Sequence, residues 1–180
     1  VTSYTSDLTT GIAGNNHSLN ITFGQGSAPT YVSLGEVSAV NELSIAGTAG
    51  STGRLDLYGN ATTAGSQTYD VSLFNINNNI TLTAGADVSI NSSVASEGSA
   101  TRSLAIEATD TSNVSILSLG GGIALDDNYD LSITKALNVD LGGLAGQPTA
   151  GDPNYDLHNL SISGVAGTVT LSTTSSSLYL

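Results

Sequence analysis

Apolar and polar residues alternate along this chain with a period of two. In segments such as residues 18–23, 79–83 and 87–91, an apolar side chain stands at every second position. Clusters of Gly, Asn, Asp and Ser separate these segments, and the spacing of amphipathic helices is nearly absent. Because the side chains of a β-strand point alternately to its two faces, the pattern predicts many short strands, each with one buried face.

The predicted strands cover most of the chain, with turn residues about every 8 to 12 positions. They lie at residues 18–23, 30–34, 42–46, 54–58, 68–73, 79–83, 87–91, 103–108, 113–117, 130–134, 137–141, 157–163, 168–172 and 177–180. Such spacing is typical of a β-sandwich, a β-barrel or a β-solenoid. The choice among these folds depends on internal repeats.

Two hexapeptides repeat almost unchanged. Residues 126–131 (Asp-Asp-Asn-Tyr-Asp-Leu) and 152–157 (Asp-Pro-Asn-Tyr-Asp-Leu) match at five of six positions and lie 26 residues apart. This offset is close to the length of one coil in many β-solenoids, where equivalent residues of successive coils stack on each other. The repeat therefore favours an all-β fold, an elongated parallel β-solenoid, with a β-sandwich as the alternative.

The core must be aliphatic, since the chain has no Trp, Met or Cys and only two Phe. Aromatic side chains bury about 150–250 Å² each and commonly anchor the centre of a globular enzyme. Rows of Val, Ile, Leu and Ala form a thinner, layered core instead. The absence of cysteine excludes disulfides and thiolate zinc sites, so stability must come from burial and backbone pairing.

The chain is acidic, with 15 Asp and Glu against three Lys and Arg and a formal net charge of −12. Nucleic acids and anionic membranes are bound by basic surfaces, so neither is an expected partner. No apolar stretch approaches about 18 residues, so membrane insertion is not expected. Ser, Thr, Asn and Gly must therefore form most of the solvent-exposed surface. This composition is typical of secreted fibres, so we expect an extracellular or cell-surface location.

A succession of short segments runs through most of the chain: Leu-Ser-Ile-Ala-Gly at 43–47, Leu-Asp-Leu-Tyr-Gly-Asn at 55–60, Thr-Ala-Gly-Ser-Gln-Thr-Tyr at 63–69, and further segments at 79–83, 88–92, 103–108 and 138–143. This succession resembles the long repeats of filamentous-haemagglutinin-like and large autotransporter adhesins. Its most distinctive part is Gly-Ser-Gln-Thr-Tyr, whereas the acidic Tyr-Asp starts and a loop at 147–151 depart from the family pattern. The resemblance implies a right-handed β-solenoid exported to the bacterial surface, and it implies no catalytic residue.

An acidic cluster is the best candidate for a metal site. Its oxygen-bearing side chains alternate at turn spacing, and Ca²⁺ is coordinated by about six to eight oxygen ligands. The candidate ligands are Asp126, Asp127, Asp130, Asp152 and Asp156. The structural alternative is an Asx-turn, in which Asp and Asn side chains bond to nearby backbone and start a strand. No other cofactor is expected.

No constellation of residues predicts catalysis, and we expect that the protein is not an enzyme. Paired carboxylates perform glycoside hydrolysis, but here they flank tyrosines in turns, without a Trp platform. The only histidines are His17 and His158, and Ser and Asp are so frequent that Ser-His-Asp combinations arise by chance. The tyrosines that open strands suit either a sugar-binding row or the corners of coils.

Residues 1–180 are therefore predicted to form a single β-solenoid domain, a segment or subunit of a longer fibre. We expect a structural module of an extracellular bacterial adhesin or surface filament, a stiff repetitive spacer that associates end to end with another copy or a neighbouring repeat. Two alternatives stay open: a polymerising β-sandwich subunit that exchanges strands between copies, and a carbohydrate-binding surface module. Host or matrix glycans are further candidate partners.

Overall fold

The computed structural model describes residues 5–23, 31–47, 53–96, 101–119, 129–142 and 157–172. These residues form 16 β-strands and no helix. The strands are β1 (Thr5–Leu8), β2 (Ile12–Phe23), β3 (Tyr31–Leu34), β4 (Val37–Gly47), β5 (Arg54–Leu57), β6 (Ala61–Thr63), β7 (Gln67–Asp70), β8 (Leu73–Ile76), β9 (Ile80–Ala84), β10 (Val88–Ser96), β11 (Arg102–Glu107), β12 (Asn113–Ser118), β13 (Tyr129–Lys135), β14 (Asn138–Leu141), β15 (Leu157–Ile162) and β16 (Val169–Leu171).

Neighbouring strands in the described part of the chain are all parallel and stack in three columns. Column 1 contains β1, β3, β5, β8 and the second half of β10. Column 2 contains the first halves of β2 and β4, then β6, β9, β11, β13 and β15. Column 3 contains the second halves of β2 and β4, then β7, the first half of β10, β12, β14 and β16.

The chain visits the three columns in turn, so each circuit is one coil of a parallel β-solenoid. The first coils, for example, follow β1 and β2, then β3 and β4, then β5, β6 and β7. The predicted β-solenoid is therefore confirmed, and the antiparallel hairpins of the alternative β-sandwich do not form among the described residues. Most predicted strands are present, but the sequence missed β1, β6 and the separate strand β8, and segment 177–180 lies outside the described residues.

The hexapeptide repeat predicted the wrong register. An offset of 26 residues would place Leu131 opposite Leu157, whereas β13 and β15 pair Leu131 with Leu160. A bulge in β15 adds one residue between the pairs Tyr129–Leu157 and Asp130–Asn159. The register of two coils follows the stacking of their inward aliphatic side chains. A repeated sequence motif does not have to lie in that register.

Coil length also varies along the solenoid. Register partners in column 1 are 19 residues apart at Arg54 and Leu73, whereas partners in column 3 are 30 residues apart at Val139 and Val169. The columns keep their parallel pairing despite this variation in the number of residues between register partners. Loop length changes the free energy of folding only slowly, by about 0.6 kcal/mol for each doubling.

The core is a set of largely aliphatic rows that run along the columns, with Tyr69, Phe74 and Tyr129 as buried aromatic members. In column 3 the inward row is Ile21, Ile45, Tyr69, Ile90, Ile116, Leu141 and Leu171. Its members from Ile45 to Leu141 are at most 1% exposed, whereas the two outermost members are only partly buried. Each fully buried aliphatic side chain of this kind contributes about 1.5–3 kcal/mol, so the layered core predicted from composition stabilises the coils collectively.

Glycines allow the turns of successive coils to approach each other closely. A Cβ atom at Gly85 would lie 1.9 Å from the backbone oxygen of Ala64, and one at Gly59 would lie 2.4 Å from the backbone nitrogen of Glu36. Any side chain at these two positions would push adjacent coils apart. The glycine clusters between predicted strands thus have a packing role at the corners of the solenoid.

Candidate functional site

Of the five predicted calcium ligands, the structure describes Asp130 alone. Asp126, Asp127, Asp152 and Asp156 lie outside the described residues. Within the described ranges, no group of three or more His, Cys, Asp or Glu side chains converges on a common point. The calcium site stays a prediction, and the surroundings of Asp130 show what this carboxylate contacts.

Asp130 lies on the outer face of column 2 and contacts two side chains of the next coil. Its Oδ1 lies 2.9 Å from Nδ1 of His158 and 2.8 Å from Nδ2 of Asn159. The bulge in β15 causes this arrangement, since it places two consecutive side chains opposite one residue of β13. In the sequence, His158 stands out only as a possible member of a Ser-His-Asp combination, so the cluster of Asp130, His158 and Asn159 was not predicted.

The electrostatics of this cluster favour an ionised carboxylate. The hydrogen bond with His158 holds the pKa of Asp130 below its usual range, burial acts in the opposite direction, and the Asn159 amide lowers the pKa further. The side chains of Asp130 and His158 are 41% and 56% exposed. Solvent therefore screens the interaction between Asp130 and His158, so the pair contributes little to the free energy of folding. Its interest lies in the arrangement of its polar atoms.

A second feature is a row of polar side chains at the corner before column 3, here called the corner ladder: Asp87, Asn113, Asn138 and Thr168. Oδ1 of Asp87 accepts a hydrogen bond from the backbone N–H of Asn113 at 2.7 Å. Nδ2 of Asn138 donates to Oδ1 of Asn113 at 2.9 Å, and Oδ1 of Asn138 accepts from the backbone N–H of Thr168 at 3.0 Å. The corner ladder thus adds side-chain bonds to the backbone pairing of four successive coils.

We expect Asn138→Ala to loosen the last described coil by about 1 kcal/mol, because it removes bonds to both neighbouring coils at an exposed corner. The amide proton of Thr168 should exchange with solvent several-fold faster, as measured by hydrogen exchange. Asn91→Ala, which changes an exposed asparagine of β10 outside the corner ladder, is the matched control and should leave that exchange rate unchanged. Equal rates in the two variants would contradict a bonding role for the corner ladder.

The strand-opening tyrosines that the structure describes do not form a surface row, since Tyr31, Tyr69 and Tyr129 lie in three different columns. Tyr69 and Tyr129 are fully buried, and Tyr155 lies outside the described residues. The hydroxyl of Tyr69 donates to Oε1 of the equally buried Gln67 at 2.8 Å, and burial raises the pKa of Tyr69. Both interpretations made from the sequence, a sugar-binding row and a corner cap with a wet hydroxyl, are wrong for Tyr69.

The ends of the described solenoid form a third candidate site. Among the described residues, β1 and β2 pair along one edge only, as do β15 and β16. The inward residues there are only partly buried against the core: Leu8, Ile12, Leu19 and Ile21 at one end, and Leu157, Leu160, Ile162, Val165 and Leu171 at the other. Val169 is 46% exposed. Within the described ranges, each end therefore presents a partly buried apolar layer and a strand edge that pairs with no other described strand.

Comparisons with known proteins found no match: no family model, no curated protein and no solved structure aligned significantly with the chain. Among the described residues, no helix has the length and apolar character needed to cross a membrane. The function must therefore be inferred from the geometry of the coils and of their ends.

Proposed function

We propose that this chain is a structural module of an extracellular bacterial adhesin or surface filament, a stiff spacer without enzymatic activity. The observation that carries the proposal is the continuous parallel pairing of column 3, in which seven strand segments from β2 to β16 are hydrogen-bonded in order. Neighbouring strands lie about 4.8 Å apart, so the coils add up to a rod whose length grows with each repeat.

Surface chemistry supports an extracellular location. Outward positions of column 3 hold small hydroxyl side chains, such as Ser44, Thr68, Ser89 and Ser115, which are register partners in successive coils. With three basic residues in 180, the chain offers trypsin-like proteases few cleavage sites. The resemblance to adhesin repeats supports the same placement.

The polarity of the columns supports end-to-end association with a second copy. Because all described strands run parallel, the edge of β15 and β16 differs from the edge of β1 and β2 and is complementary to it in hydrogen-bonding direction. The row that ends at Leu171 would continue with Ile21 of another copy, as the internal rows already do from coil to coil. Contacts of this heterologous kind build open fibres, and unpaired strands are templates for such pairing.

Two lysine variants test the association. Ile162→Lys places a charge in the apolar layer of one end, and Ile21→Lys does the same at the other. Thr68→Lys, an outward change in the middle of the solenoid, is the matched control. We expect concentration-dependent linear oligomers for the unchanged chain and for Thr68→Lys, and monomers for each end variant alone, measured by light scattering and electron microscopy.

Mixing the two end variants makes the test directional. Each retains one intact end, so an equimolar mixture should form dimers and stop there. Monomers at millimolar concentration of the unchanged chain, or oligomers that persist in both end variants, would contradict end-to-end association and leave the solenoid module itself in place. A compact particle in solution scattering would contradict the spacer.

A further inference from the structure

Three polar atoms from two coils form a small triangle on the outer face of column 2. Oδ1 of Asp130 lies 2.9 Å from Nδ1 of His158 and 2.8 Å from Nδ2 of Asn159. The third side of the triangle, between Nδ2 of Asn159 and Nδ1 of His158, is 2.7 Å. All three distances are in the range of hydrogen bonds.

No placement of protons satisfies all three contacts. The ionised Asp130 only accepts, so Nδ1 of His158 and the terminal group of Asn159 must both donate to it. They then face each other as two donors at 2.7 Å. If Nδ1 is unprotonated it accepts from Asn159, but its lone pair then faces the carboxylate. Turning the Asn159 amide places its oxygen against the carboxylate instead. One contact is repulsive in every arrangement.

A cation bound to the three groups removes this conflict. With the amide turned, the triangle presents a carboxylate oxygen, an amide oxygen and an imidazole nitrogen within 2.7–2.9 Å of one another, and each carries a lone pair that can bind a cation. Ligands of Zn²⁺ lie about 2.0–2.2 Å from the metal and hence about 3 Å or slightly more from one another, so shifts of a few tenths of an ångström complete the geometry. Neutral imidazole favours zinc and other transition metals, whereas Ca²⁺ prefers oxygen ligands.

We propose that Asp130, His158 and Asn159 bind a divalent transition-metal ion of the zinc class, with water in the remaining positions. The ion joins β13 to β15 and fastens adjacent coils of column 2. This role is independent of the end-to-end association proposed above, since all three ligands belong to one chain.

Isothermal titration with ZnCl₂ tests the site in the full chain without a polyhistidine tag. We expect one zinc ion per chain, and a loss of at least about tenfold in affinity in His158→Ala and in Asp130→Asn, since even indirect partners of a metal ligand change affinity by about 10–100-fold. His17→Ala removes the other histidine and is the matched control, with unchanged affinity. Binding that survives in His158→Ala, or that disappears in His17→Ala, would overturn the site.

Asn159→Asp separates a metal site from a purely hydrogen-bonded cluster. A second carboxylate should tighten zinc binding, whereas it would only add repulsion to a cluster without metal. Zinc should also slow hydrogen exchange of β15 amides in the unchanged chain and leave it unaltered in His158→Ala. Weaker zinc binding by Asn159→Asp, or titration with CaCl₂ showing tighter binding than ZnCl₂, would overturn the proposal.

Discussion

Replacing Gln67 by alanine is expected to lower the free energy of unfolding by about 3–5 kcal/mol. The side chain of Gln67 is fully buried in the third coil, where its Nε2 donates to the backbone oxygens of Ala61 at 3.1 Å and Thr83 at 2.9 Å. Its Oε1 accepts the hydroxyl of Tyr69. A buried polar group that loses its partner costs about 1–3 kcal/mol, and the truncation also leaves a cavity.

Substitutions at the same two positions separate the polar contribution from the packing contribution. Gln67→Met keeps most of the volume, so its destabilisation measures lost hydrogen bonds. Tyr69→Phe removes one hydroxyl and should cost about 1–3 kcal/mol. The double variant should be less destabilised than the sum of the two single variants, because the same bond is lost in each.

Urea unfolding followed by circular dichroism measures these differences. Thr68→Ala, between the two buried residues but outward-facing, is the matched control, and we expect a change within about 0.5 kcal/mol. If Gln67→Met were as stable as the unchanged chain, the buried hydrogen bonds would contribute nothing, and the network would be a packing feature alone.

The alternation of residue types was enough to predict the fold class and the inward face of most strands. Val88 and Ile90 are buried, as predicted, and Ser89 between them is partly exposed. The strands that the sequence missed are short, and β8 does not alternate, since Phe74, Asn75 and Ile76 are all buried. A period-two pattern presupposes one solvated face, so it fails where both faces are covered.

The candidate sites were harder to predict because they depend on register. Gly-Ser-Gln-Thr-Tyr was recognised as distinctive, but its sequence does not say that Gln67 and Tyr69 point inward and bond to each other. The contacts of Asp130 required the bulge in β15, which the hexapeptide repeat concealed. Local patterns determine which side chains share a face, whereas the pairing of coils determines which side chains meet.

Asp56 is a further residue whose burial the alternating pattern does not predict. Its replacement by alanine is expected to lower the free energy of unfolding by about 2–4 kcal/mol. It lies between two inward leucines on β5, so alternation places it in solvent, yet it is only 7% exposed. Its Oδ1 accepts from Nε of Arg54 and from Nδ2 of Asn75, both at 2.6 Å. Removing one partner of a buried ion pair costs about 3–5 kcal/mol, and the partial exposure of Arg54 reduces that value.

Asp70→Ala is the matched control for Asp56→Ala, since it removes an exposed carboxylate on β7, two strands later in the same coil, and should change stability by about 0.5 kcal/mol or less. Asp56→Asn keeps the shape and an acceptor oxygen for Asn75 but loses the charge opposite Arg54, so it should fall between the other two variants. The order of urea midpoints then reports what the carboxylate does. If Asp56→Ala and Asp70→Ala had the same urea midpoint, the hydrogen bonds from Arg54 and Asn75 would not stabilise column 1. Asp56 would then be buried only because neighbouring residues cover it.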